Sequence, residues 1–156
     1  MLSNNKTDNP AAYQLAFTVL RRVSTIIQMP ISSFLNRILV GSSTETVGRG
    51  SELTEHIYSL IYELHRVSPE LLNRVIPNLC LQLQVEEEDI RLKAVKLLGS
   101  LFASSHAEYA KEFSRNFRDY LSRFNDLSPE IRLEMVENCT AILQNKTILY
   151  SLYEGK

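Results

Sequence analysis

The tripeptide Ile90-Arg91-Leu92 returns as Ile131-Arg132-Leu133, 41 residues later, and the apolar pattern around it returns as well. Adding 41 carries Leu72 to Phe113, Ile76 to Phe117, Leu79 to Tyr120, Leu83 to Phe124, Val95 to Val136 and Leu101 to Ile142. Subtracting it carries Ile76 to Leu35, Leu79 to Ile38, Leu98 to Ile57 and Leu101 to Leu60; a second subtraction takes Leu101 to Val19 and Leu98 to Ala16. A period near forty, filled by paired segments with apolar residues three and four apart, is that of a HEAT or armadillo-type array, whose hairpins bury their apolar faces against their neighbours. The expected fold is all-α, a right-handed helical solenoid of about seven helices and about three and a half repeats.

Start signals divide the chain. Asn9-Pro10 places a side-chain acceptor before a proline at the first helical position, and the helix it opens runs to about residue 28. Pro30 opens a shorter segment carrying Ile31, Phe34, Leu35 and Ile38, and the Gly-, Ser- and Thr-rich stretch 41–50 is the one substantial loop. Ser51 can cap a helix striped by Leu53, Ile57, Leu60, Ile61 and Leu64. Ser68-Pro69-Glu70 and Ser128-Pro129-Glu130 are two copies of one start signal, and Pro77 inside the first of these helices predicts a kink. The acids Glu86 to Asp89 offset the positive end of the next helix. The resulting organisation is a polar segment 1–8, an array over 9–145 (a helix at 10–28, then hairpins at about 30–67, 69–103 and 107–144) and a weakly determined tail 146–156. An array that opens on the second helix of a hairpin, one carrying Tyr13, Phe17 and Leu20 without a capping surface, reads as an excerpt of a longer solenoid. Such ends predict self-association.

Hydrophobic residues at 44% and charged residues at 22% belong to a folded domain, and a net charge of -1 supplies no field for gripping nucleic acid directly. No signal peptide and no apolar run of membrane-spanning length stand out, so no membrane partner is expected. Cys80 and Cys139 lie within helical patterns and are expected as reduced packing thiols. His56, His65 and His106 fall on separate segments without ligand spacing, and no glycine-rich loop follows a strand. No catalytic, cofactor or metal site is expected. A helical hydrolase would need polar groups converging in a pocket, whereas these stripes alternate cleanly between core and solvent.

Two charged sets carry functional readings. Arg91 and Arg132 hold equivalent places in successive second helices and Asp126 precedes Arg132 by six residues, an arrangement suited to a structural ladder across repeats. Val85 stands where an aspartate would complete the earlier rung, leaving Glu86 as the nearest carboxylate. Lys111, Arg115 and Arg118 lie opposite the Phe113, Phe117 and Phe124 stripe, a basic ridge on one helix able to meet an acidic peptide or phosphate.

Several stretches resemble one HEAT family: SELTEHIYSLIYEL (51–64), PELLNRVIPNLCLQL (69–83), RLKAVKLLGSLF (91–102), and above all LSRFND (121–126) followed by IRLE (131–134). The family is that of the "precocious dissociation of sisters" cohesin-associated proteins, and the resemblance covers about residues 10–145. It implies a non-enzymatic, chromatin-associated nuclear regulator of sister chromatid cohesion that docks on cohesin through the kleisin subunit and works with release-factor-type regulators. The same helical grammar serves nuclear transport receptors and phosphatase scaffolds, although the absence of Trp disfavours an importin-like groove. An inactive truncated product is the further alternative.

Overall fold

One helix, α1 (Pro10–Ser42), runs straight through the place where Pro30 is expected to open a new one. Pro30 and Ile26 both lie on the exposed side of α1, so the Ile26 carbonyl, deprived of its donor, is open to water and the helix survives the proline. The computed structural model describes residues 10–42, 52–105 and 108–144. The expectations for the polar segment 1–8, the Asn9 cap, the loop from residue 43, the Ser51 cap, His106 and the tail 146–156 fall outside those residues.

Pro77 has the opposite outcome. Instead of one kinked helix over 69–83, a 3-10 turn (Pro69–Leu72) is followed by a separate helix, α3 (Ile76–Leu81), with the proline in its first turn, and by a second 3-10 turn (Gln82–Gln84). A proline there cannot close a helical bond back to Asn73, and the break frees main-chain carbonyls inside the array. Side chains four residues apart on α1 donate to carbonyls of this broken segment, that of Glu70 also accepting from the Asn73 N–H at 3.3 Å. Gln28 donates to the Glu70 carbonyl at 2.7 Å, Ser32 to that of Leu71 at 3.3 Å, and Asn36 to that of Arg74 at 3.0 Å. The helix expected over 107–124 is likewise divided, into α5 (Tyr109–Glu112), α6 (Ser114–Leu121) and a 3-10 turn (Ser122–Asn125), with Phe113 as the non-helical joint.

The remaining helices are α2 (Glu52–Val67), α4 (Glu88–Phe102) and α7 (Pro129–Gln144), making seven α-helices and no strand among the described residues. They form two layers. The C-terminal half of α1, α3 and α6 make one; α2, α4 and α7 make the other, with α4 against α7 the most extensive helix contact. The 41-residue register is legible in the core. Leu35, Ile76 and Phe117 are buried equivalents in the first layer, as are Ile57 and Leu98 in the second. Phe102 seals the layers together, its ring 4.9 Å from Phe117 and 5.4 Å from Tyr120.

The register fails at both outer helices. Val136 and Leu133 are mostly exposed, although Val95, 41 residues before Val136, is fully buried; no following hairpin covers them among the described residues. Ala16 and Val19, expected in the core, are also exposed. By length and composition alone α1 could cross a membrane, contrary to expectation, because the two apolar segments join. Its Gln28, Ser32 and Asn36 bonds instead tie it to the neighbouring repeat.

Gly99 sets the closeness of the α4–α7 seam. A Cβ at this position would sit 2.5 Å from the Asn138 side chain, which donates to Glu134 at 3.1 Å. Alanine in place of a helical glycine ordinarily gains about 1 kcal/mol. Here Asn138 must give up its bond and move, so Gly99→Ala is expected to cost about 1–2 kcal/mol in urea unfolding. Adding Asn138→Ala should recover most of that loss.

Candidate protein-docking site

The seam between the last two described repeats is built on Asp126, whose side chain is 2% exposed. Arg91, reaching from the preceding repeat, grips it through two parallel contacts, Nε to Oδ2 at 3.3 Å and Nη2 to Oδ1 at 3.2 Å. Arg123 adds a third at 3.3 Å, and the Ser128 main-chain N–H donates to Oδ1 at 3.0 Å. Burial alone would raise the Asp126 pKa. The Ser128 bond, the Arg91 bond and charge, and the Arg123 charge outweigh it and hold this carboxyl below the usual value.

The two arginines in register perform the same local task. Arg91 Nη1 caps the carbonyls of Val85 and Glu86 at 2.9 and 2.6 Å, and Arg132 Nη1 caps those of Asp126 and Leu127 at 2.7 and 3.0 Å. Arg132 therefore meets the main chain of Asp126 rather than its carboxylate, and Arg91 meets Glu86 through its carbonyl. Gln82 and Arg123, also 41 apart, each pin their repeat to the one before. Gln82 donates to the Leu39 carbonyl at 3.1 Å and Arg123 to that of Leu83 at 3.0 Å. Comparing polar positions at the 41-residue offset would have revealed this pair, which apolar periodicity misses. Ser128 caps α7 by accepting from the Ile131 N–H at 3.3 Å and donates to Glu88 at 2.5 Å, binding the repeats once more.

Lys111, Arg115 and Arg118 are all exposed, but the joint at Phe113 places Lys111 on α5 and the two arginines on α6, so they do not share one continuous helix. Lys111 Nζ lies 3.8 Å from Glu108, while Arg115 and Arg118 stand one turn apart on α6. Two clefts open elsewhere across the repeats. One, of about 620 Å³, is lined by Phe17, Tyr62, His65, Arg66, Ser100 and Ser104 among others. The other, of about 430 Å³, includes Arg21, Glu70, Glu108, Tyr109 and Glu112 in its lining.

His65 is 5% exposed and forms part of the wall between helices. Its Nε2 is 2.9 Å from Ser104 Oγ and its Nδ1 3.3 Å from Tyr109 Oη, while the Tyr109 hydroxyl donates to the Pro69 carbonyl at 2.6 Å. These bonds tie α2, its following turn and α5 together. No group of three or more metal-ligating side chains occurs among the described residues. Cys80 is buried and Cys139 half-buried, both as free thiols. Burial pushes the Cys80 thiol up to about 12, and the nearby Asp119 charge raises it too, against a hydrogen bond with Asn116. It stays protonated at neutral pH, so Cys80 is expected to react with a disulfide reagent only as fast as the array opens. A rate that follows thiolate fraction from pH 7 to 9 without unfolding would contradict this.

Paired helices in two layers, pinned repeat to repeat by side chains reaching main-chain carbonyls, define a HEAT-type helical-repeat scaffold. The structure reported as "Structure of the Pds5-Scc1 complex and implications for cohesin function" has this fold: it superposes with a TM-score of 0.68 at 24% identity, over 85% of this chain and 20% of that one. The model of the PDS5 family of sister chromatid cohesion proteins matches residues 1–152, and the chain belongs to that family. It is 36% identical over 141 residues to the human sister chromatid cohesion protein PDS5 homolog B, covering 90% of this chain and 10% of that protein. The zebrafish (Danio rerio) homolog A is 36% identical over 145 residues, 93% of this chain and 11% of its own length. The chain thus spans about a tenth of these curated relatives.

Proposed function

We propose that this chain is a non-enzymatic docking segment that regulates sister chromatid cohesion by holding part of the cohesin complex, with the kleisin subunit as its first partner and release-factor-type regulators as others. Family membership over nearly the whole chain carries this reading. The related solved protein is described as a complex with Scc1, and the rigid repeat-to-repeat pinning supplies the fixed surface that peptide capture requires. Partners of this kind place the protein on chromatin in the nucleus.

The proposed contact surface is the exposed basic group Arg115 and Arg118 with Lys111. Lys111 has its own carboxylate neighbour, so the α6 arginines offer the freer charge to an acidic peptide. Affinity capture from nuclear extract, with the retained proteins identified by mass spectrometry, should enrich cohesin subunits. Enrichment of phosphatase catalytic subunits or transport cargo in their place would overturn the reading. Reversing the three charges (K111E, R115E, R118E) is expected to weaken kleisin binding by about tenfold or more, because like charges then face the partner. Unchanged binding would make this face merely solvated.

A further inference from the structure

Four exposed arginines share one flank of the array, the outer side of the layer made by α1, α3 and α6. Arg74 and Arg115 are 41 residues apart, and two periods before Arg118 lies position 36, next to Arg37, so the four occupy two adjacent rows across three repeats. Contacts between the helices bring the rows together. Asn36 donates to the Arg74 carbonyl at 3.0 Å, which sets Arg74 against α1 beside Arg37, and Asn116, the neighbour of Arg115, hydrogen-bonds with Cys80 of α3. The Arg37 guanidinium lies 5.9 Å from the centre of the Phe34 ring.

None of the four forms an ion pair among the described residues. Of the carboxylates nearest in sequence, Asp119 is half-buried beside Cys80, and Glu70 and Glu112 line the cleft of about 430 Å³. Further repeats at either end would lengthen this flank and leave it open, because stacking covers only the end faces.

The spacing selects an occupant. Packed helices stand about 8–10 Å apart. A chain crossing them in polyproline II conformation returns to the same face every third residue, having advanced about 9 Å. Carboxylates three residues apart therefore meet the arginines of successive repeats, and their mutual repulsion favours the extended form. A nucleic-acid backbone fits less well, since the same layer carries Glu70, Glu112 and Asp119 and the chain has a net charge of -1.

Resting on the docking role of Arg115 and Arg118, we propose that this flank is a track for an acidic, extended segment of a partner protein. One carboxylate sits on Arg37, the next on Arg74 and the third between Arg115 and Arg118.

Fluorescence anisotropy of the full chain with a labelled peptide of three Glu-Pro-Ser repeats, at low ionic strength, tests this. Arg37→Glu and Arg74→Glu should each weaken binding by about fivefold to tenfold, with circular dichroism checking that both stay folded. Lys93→Glu makes the same change of charge at an exposed position of α4, in the other layer, and should leave binding unchanged. A peptide of equal composition with its glutamates in one block should bind more weakly. No binding by the parent chain, equal binding of the two peptides, equal losses in all three variants or tighter binding of a DNA duplex would overturn the track. With the kleisin subunit, Arg74→Glu should weaken binding as well. A loss confined to Arg115→Glu and Arg118→Glu would overturn the track and leave the docking role standing, whereas peptide binding in the expected pattern without kleisin binding would sustain the track and remove kleisin as the partner.

Discussion

Replacing Asp126 with alanine is expected to cost about 2–3 kcal/mol, near the lower end for breaking a buried ion pair because Arg91 and Arg123 keep some solvent. Their side chains are 12% and 26% exposed, against 2% for Asp126. The substitution leaves both guanidinium groups without their carboxylate and the Ser128 N–H without its acceptor. Damage should be local, since repeats are stabilised by their neighbours. Hydrogen exchange in α7 and the turn before it should quicken well before that in α2.

The same carboxylate gives the array a sign-specific acid response. Its native pKa lies below the ordinary value of 3.8, so the stabilisation is complete above that value and is lost as pH falls through the lower native one. Unfolding curves measured from pH 5 to pH 2 should show the parent losing its advantage over Asp126→Ala below about pH 4. An advantage that persists unchanged at pH 2 would remove the carboxylate from the account.

The second large effect is expected at Phe102, where alanine should cost about 3–5 kcal/mol. Phe102 is 1% exposed, and its ring is held edge-on by Phe117 at 4.9 Å and beside Tyr120 at 5.4 Å. Truncation would open a cavity where α4 meets α6, at the junction of the two layers. Leu133→Ala supplies the contrast: the side chain is as apolar but 60% exposed, and its loss should change urea stability by no more than about 0.5 kcal/mol. Equal losses at the two positions would contradict the assignment of inward and outward faces.

The period of 41 identified the helical array and its buried equivalents because apolar burial repeats with each hairpin, as at Leu35, Ile76 and Phe117. It could not decide the two prolines. Both remove the same hydrogen bond, but Pro30 leaves its orphan carbonyl facing water, whereas the break before Pro77 is supported by Gln28, Ser32 and Asn36 from about forty residues away. Nor could periodicity separate a covered face from an uncovered one. Val95 and Val136 have identical side chains and register, but among the described residues Val95 alone has a following repeat against it.

In the candidate site, Arg91, Asp126 and Arg132 stand out because a charge at a repeating helix start is conspicuous. Arg123 shares its 41-residue register with Gln82, but its bond to Asp126 has no counterpart at Gln82 and becomes visible only once the turn brings the two together. The basic group reads as one ridge only while 107–124 is taken as one helix. A non-helical residue at Phe113, with φ of -109° and ψ of 47°, separates its members, and no local breaker such as proline or glycine announces it.

The most direct measurement is a calorimetric titration of the purified 156-residue chain with purified kleisin subunit. A saturable complex, weakened about tenfold or more when Lys111, Arg115 and Arg118 are reversed and retained by Cys80→Ser, is the predicted result. A well-folded chain that binds no part of the kleisin would contradict a docking role on cohesin.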